Sequence, residues 1–250
     1  MSKCLKIVCC YFGPRRGIFN TPENMVDFIK EMMENEINME NGVHTDVVFV
    51  NNDIGDVAKN EFLNSFNNTP TKNGKIIIET RANKDGSFGA YYDMAFKYLS
   101  DYDYFFFCED DVLIFRDYYI KEFIEHIDSD NNLGFVCLAP ISILRGILPI
   151  HSGGGCGLTS KEKFLRINSI ESVGNMLSSK SSGFIPNDYT YLQTLEIEFT
   201  NSFIRGGMSI ENHPKFSPLC TNYSIHYGQR NYASIILSQG EKEYIYKVGF

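Results

Sequence analysis

Residues 104–111 read Tyr-Phe-Phe-Phe-Cys-Glu-Asp-Asp, a dense aromatic run that passes without a break into three acids. Such a run is stable only as a strand buried among other apolar groups. Its last residues must then leave the core abruptly, because carboxylates are costly to bury unless they meet water, a cation or hydrogen-bond donors. In open α/β sheets, ligands lie outside the carboxyl ends of parallel strands. Acids in that place suit a hard divalent ion, Mg²⁺ or Mn²⁺, of the kind that also holds phosphates. The plainer alternative is an acidic turn after a strand.

The surrounding pattern alternates strands with amphipathic helices. Apolar, β-branched runs at residues 5–12, 44–50, 75–79 and 134–139 predict strands, joined by the aromatic run at 104–108. Between them, Thr21-Pro22 marks a helix start, N-cap then first-turn proline, followed by Met25, Ile29, Met32 and Ile37 at helical spacing. Further helical patterns follow around residues 57–66, then through Phe88, Tyr92, Ala95, Phe96 and Leu99, then through Tyr119, Phe123, Ile124 and Ile127. Strands separated by helices imply an α/β fold, a mainly parallel sheet flanked by helices. The second half is less regular: a glycine-rich stretch from His151 to Gly157, a helix from about Lys161, a polar stretch at 178–182 and a helix near 188–196. No repeat or linker divides the 250 residues, so a single domain is expected.

Composition narrows the class. No apolar run reaches the roughly 18 residues of a membrane helix, and the N-terminus lacks the apolar stretch of a signal peptide, so no transmembrane segment and a cytoplasmic location are expected. Seven cysteines, none in a Cys-x-x-Cys pair and most within apolar runs, read as reduced, buried small residues. A net charge of −8 argues against a nucleic-acid partner, which would need a basic stripe. It allows an anionic ligand that arrives with a bridging cation.

The segment Asn83-Lys84-Asp85-Gly86-Ser87-Phe88-Gly89-Ala90, then a helix, then the aromatic strand ending in Glu109-Asp110-Asp111, resembles the core of family-2-like GT-A glycosyltransferases, of the nucleotide-diphospho-sugar transferase superfamily. The likeness runs in order and spacing from about residue 5 to 140, with Glu109 where the family's Asp-x-Asp motif begins with Asp. It implies a Rossmann-like GT-A fold with a nucleotide-sugar half over residues 1–140 and an acceptor half over 141–250. Tyr11 and Phe12 would border the base and ribose. Asn52 and Asp53 would lie near the base, and Arg81, Asn83 and Gly86 would line the nucleotide pocket. Glu109 and Asp110 would face the nucleotide sugar, and Asp111 would hold the metal, with Glu109 and His226 as further ligands. Gly154 and Gly155 would border the donor sugar and acceptor. Asp188, in an Asn-Asp pair where the family commonly has Glu-Asp, would be the general base.

The implied activity is Mn²⁺- or Mg²⁺-dependent transfer from a nucleotide-diphospho-sugar, a UDP-sugar foremost, to a hydroxyl of a glycan or other acceptor, with inversion. Two alternatives stay open. One is a sugar-1-phosphate nucleotidyltransferase, whose glycine- and arginine-containing loop Gly13-Pro14-Arg15-Arg16-Gly17 faintly resembles. The other is a non-catalytic carbohydrate- or nucleotide-binding protein on a degenerate fold. A dinucleotide-dependent dehydrogenase is disfavoured, since no Gly-x-Gly-x-x-Gly follows the first strand.

Overall fold

The computed structural model describes residues 2–12, 22–53, 55–110, 112–114, 116–138, 141–142, 151–152, 155–168, 189–214, 233–239 and 242–248. Strand β1 (Lys3–Cys10) is buried from its second residue onward. It pairs in parallel with β2 (His44–Asp53) on one side and with β4 (Tyr104–Glu109) on the other. β3 (Ile76–Ala82) extends the sheet beyond β2. Beyond β4 come β9 (Gly157–Ser160), β6 (Leu133–Cys137) and β10 (Ser209–Asn212), giving the order β10-β6-β9-β4-β1-β2-β3. β9 runs antiparallel to both its neighbours and every other pairing in this sheet is parallel. The result is the expected α/β fold, a mainly parallel Rossmann-like sheet flanked by helices.

Strand alternation sorts the core into two layers. Cys4, Val8, Cys10, Phe106 and Cys108 face one side, where they pack with α1 (Pro22–Asn38), α4 (Tyr119–Asp128) and Leu63 of α2 (Val57–Asn64). Leu5, Ile7, Cys9, Phe105 and Phe107 face the other, against α3 (Gly86–Lys97), α5 (Lys161–Asn168) and α6 (Tyr189–Arg205). Aromatic rings dominate this second layer: Phe107 lies 5.0 Å from Tyr91, edge-on to Phe199 at 5.3 Å and stacked near Phe135 at 6.4 Å. Such pairs add to the area they bury.

Several elements differ from the sequence expectation. β3 runs on to Ala82, so Arg81 belongs to a strand, and α6 continues to Arg205. Short β5 (Val112–Ile114), β9 and β10 were not foreseen. They are three or four residues each, too short for a period of two to stand out. β5 is paired by β12 (Lys242–Val248) of a C-terminal hairpin with β11 (Ala233–Gln239). A two-residue pair, β7 (Ile141–Ser142) with β8 (His151–Ser152), brackets the start of the glycine-rich stretch. The six described cysteines are buried thiols outside any disulfide, as expected. Among the described residues no helix is long and apolar enough to cross a membrane.

One polar residue interrupts the core of β1. Lys6 is fully buried and its Nζ lies 2.5 Å from Glu36 Oε1 of α1, 5.2 Å from the centroid of the Tyr119 ring and 5.9 Å from that of Phe106. Burial, the largest single influence, pushes its pKa down, but the Glu36 carboxylate together with Tyr119 and Cys108 outweighs this and holds it above its ordinary value. A lysine raised in this way contributes stability that is complete below the unfolded-state value, about 10.4, and is lost as pH rises through the higher folded value. Removing one partner strands a buried charge. Glu36→Ala is therefore expected to cost about 3–5 kcal/mol in urea unfolding at pH 7 and less at pH 9, where the unpaired buried lysine gives up its proton more readily, whereas Lys6→Met with Glu36→Leu loses far less. Equal losses for the single and double variants would contradict this.

Candidate functional site

The strand order reverses direction at β1. From β1 the chain steps outward to β2 and β3, then returns through α3 to lay β4 on the opposite side of β1. The crevice for a ligand in such a sheet opens at that reversal, outside the carboxyl ends of the two strands. Here those ends are Tyr11 on β1 and Glu109-Asp110 on β4. The Tyr11 N–H donates to Asp110 Oδ2 at 2.7 Å, joining the two strand ends, and Asp110 is buried with its partner already in place. Glu109 is half-buried and accepts from the Ser87 hydroxyl, Oγ to Oε1 3.0 Å. Tyr11 is half-buried at the mouth of the crevice, while Phe12 is turned into the apolar layer shared with α1 and α4.

A second group of residues comes from the ends of β2 and β3. Asn52 is buried; its Nδ2 donates to Cys9 Sγ at 3.0 Å and to the Gly86 carbonyl at 3.3 Å. Arg81 donates from Nη1 to Asn52 Oδ1 at 2.8 Å, from Nε to Asp93 Oδ2 at 2.8 Å and from Nη2 to the Lys84 carbonyl at 2.9 Å. Arg81 is thus a strut that ties β2 and β3 to α3 and to the turn that leads into it. Asn83, just past the end of β3, carries a buried Oδ1 with no hydrogen-bond partner among the described residues. The chain turns sharply into α3, with Asp85 at φ 62° and Gly86 at φ 56°, and the first turn of the helix meets the strand ends through Gly86 and Ser87.

The thiol of Cys9 lies at the floor of this network. Burial pushes its pKa up, the Asp110 and Glu109 carboxylates push the same way, and the Ser87 hydroxyl opposes them. Cys9 therefore stays a neutral thiol at ordinary pH and is no nucleophile. Cys156, ahead of β9, is likewise raised, first by its hydrogen bond with the Cys108 thiol and then by burial.

The glycine-rich stretch is packed inward where it is described. A Cβ on Gly155 would lie 2.7 Å from Phe88 of α3 and 3.1 Å from Phe199 of α6, so the chain passes there only without a side chain. The Ser152 hydroxyl donates to the Cys156 carbonyl at 3.0 Å and closes the turn.

The structure thus brings Tyr11, Asn52, Arg81, Asn83, Gly86, Glu109 and Asp110 to one edge of the sheet. Asp53 is placed by its backbone, opposite Ala82. Asp111, Gly154, Asp188 and His226 lie outside the described residues. Among the described residues no three His, Cys, Asp or Glu side chains gather as a metal site. The donor chemistry at the end of β4 nevertheless suits a hard divalent ion: two successive carboxylates, followed in sequence by a third, offer oxygen alone. Two neighbours of the site escaped the sequence reading. Cys9 read as core and Ser87 stood in the Asn83–Ala90 segment without a role of its own; the parallel pairing of β1 with β4 sets Cys9 beside Glu109, and the Ser87 hydroxyl reaches Glu109 from α3.

Neither a protein-family model nor a curated protein matches this chain. Among solved structures it is similar to that of a cytidylyltransferase from Leptospira borgpetersenii serovar Hardjo-bovis (strain JB197), with 12% identity and a TM-score of 0.46 over 86% of this chain and 76% of that one. So loose a likeness carries no function from that protein to this one.

Proposed function

We propose that the chain is a metal-dependent glycosyltransferase of the cytoplasm, moving a sugar from a nucleotide-diphospho-sugar, a UDP-sugar foremost, to a hydroxyl of a glycan or other acceptor. The observation that carries this reading is the bond from the Tyr11 amide to Asp110 at the β1–β4 reversal. It sets a carboxylate pair on the spot where this sheet topology receives a ligand. On a chain of net charge −8, acids there fit an anionic ligand that comes with a cation. On the other flank, Asn83 offers its side-chain carbonyl oxygen to a base or ribose, within a frame that Asn52 and Arg81 keep rigid.

A divalent ion, Mn²⁺ or Mg²⁺, held by Asp111 with Glu109 and His226, would stabilise the charge that builds on the departing diphosphate. The chain's own residues supply the rest. Asp188, which directly precedes α6 in sequence, takes the proton of the acceptor hydroxyl. The acceptor oxygen then forms the bond to the anomeric carbon as the bond from that carbon to the diphosphate oxygen breaks. A single displacement of this kind inverts the centre. Gly154 borders the sugar, and Gly155, whose side-chain position is filled by Phe88 and Phe199, lets the backbone pass close beside it.

A thermal-unfolding screen of UDP-, GDP- and TDP-sugars with Mn²⁺, Mg²⁺ or EDTA tests the reading. At a hundredfold excess over Kd, a true donor stabilises by about 2.7 kcal/mol, which for a chain of this size raises Tm by roughly 5–10 °C. The shift should vanish with EDTA and in Asp111→Ala. Response to nucleoside triphosphates alone, with release of pyrophosphate, would replace this reading by nucleotidyl transfer. Sugar-nucleotide binding without turnover on any acceptor would leave a binding protein.

Two further outcomes are expected. The product anomer, read by NMR, is inverted, and Asp188→Asn lowers kcat by about 10²–10⁴ while donor binding persists. Asp110→Ala leaves the Tyr11 N–H unsatisfied, costs about 1–3 kcal/mol in unfolding and removes the donor-induced shift. An unchanged stability would mean that the bond does not hold the two strand ends together.

A further inference from the structure

Ser87 occupies the first turn of α3, where a serine hydroxyl can turn back onto backbone groups of its own helix. Here the hydroxyl reaches out of the helix instead and donates to Glu109 Oε1 on β4, 3.0 Å away. The backbone that carries it is held from several directions. Asn52 Nδ2 donates to the Gly86 carbonyl at 3.3 Å, the Gly89 amide donates to the Asp85 carbonyl at 3.1 Å, and Arg81 Nη2 donates to the Lys84 carbonyl at 2.9 Å. Gly89 is packed so closely that a Cβ would lie 2.2 Å from the Lys84 carbonyl oxygen and 2.8 Å from Arg81 Nη2. On the far side of the turn, Phe88 and Tyr91 are buried, with ring centroids 5.7 Å apart. The Ser87 hydroxyl therefore has one torsion to choose and a fixed origin.

Glu109 is the opposite case. It is half-buried at the mouth of the crevice and has three side-chain torsions. Without a fixed donor its carboxylate would spread over several rotamers, each lost when a ligand binds. Asp110 needs no such help, because the Tyr11 backbone amide already holds it.

We propose that Ser87 is a positioning residue that fixes the Glu109 carboxylate for the divalent ion of the donor complex. This rests on the transferase reading above. Ser87 itself binds neither ion nor nucleotide; it acts through Glu109, as hydrogen-bond partners behind metal-binding carboxylates do.

Mn²⁺ binding to the full chain, followed by electron paramagnetic resonance of the free ion with and without UDP, tests this in the wild type and in Ser87→Ala, Ser87→Thr, Glu109→Ala and the Ser87→Ala/Glu109→Ala pair. Loss of such a partner typically weakens metal affinity about 10–100-fold, and Ser87→Ala is expected in that range. Ser87→Thr, which keeps the hydroxyl, returns affinity to near the wild-type value. On the Glu109→Ala background, Ser87→Ala adds no further loss, because the two act as one unit. If Ser87→Ala does not fold, Ser87→Cys puts a weak donor in the same volume and is expected to show the same direction of loss. Wild-type affinity in Ser87→Ala, or an undiminished loss on the Glu109→Ala background, overturns the inference and leaves the transferase reading standing. A wild-type chain that binds no Mn²⁺, with or without UDP, removes both.

Discussion

β1 and β4 lie parallel at the centre of the sheet, Cys4 to Cys9 beside Tyr104 to Glu109, and their inner residues are buried on both faces. Helices on both sides must then supply apolar surface, and they do so asymmetrically. The α1/α4 layer is built from Met, Ile and Phe, while the α3/α5/α6 layer interlocks rings around Phe107 and Phe199. With the strands so sealed, polar chemistry is confined to the edge where they end. The acids of residues 109–111 leave the core there because the aromatic run gives them no earlier exit.

Polar groups within this framework survive by pairing. Lys6 meets Glu36, Asp110 meets the Tyr11 amide, and Asn52 divides its amide among Cys9, Gly86 and Arg81. The last two bind neighbouring strand ends to each other, so the crevice is fixed by the same bonds that keep its walls from costing desolvation energy. From Asp93 through Arg81, Asn52, Cys9 and Ser87 to Glu109, polar contacts run along the edge of four strands.

Much of the first half was legible in the sequence, because its strands are long, apolar and separated by helices of clear period. Residues 104–108 could be little other than a central strand. Asn52, Arg81 and Glu109 fell on one edge once the strands were taken as parallel. The second half was harder for a physical reason. β9 is Gly-Leu-Thr-Ser and β10 is Ser-Ile-Glu-Asn; neither alternates long enough to declare a buried face, and each gains its conformation from neighbours distant in sequence. Ser87 and Cys9 were hidden differently. Each has an ordinary local explanation, and only the packing of α3 over β1 beside β4 gives them another.

The antiparallel strand β9 also sets a timetable for synthesis. β6 has two neighbours in the sheet, β9 and β10, and both come later in the chain. As the polypeptide leaves the ribosome, β1 to β4 can already pair among themselves, while the apolar strand Leu-Gly-Phe-Val-Cys waits with bare edges until residues 157–160 appear. A stretch of that kind is the segment most open to pairing with another nascent chain. The 19 residues between the two strands are the interval over which a chaperone or a slow codon run would have its greatest influence on yield.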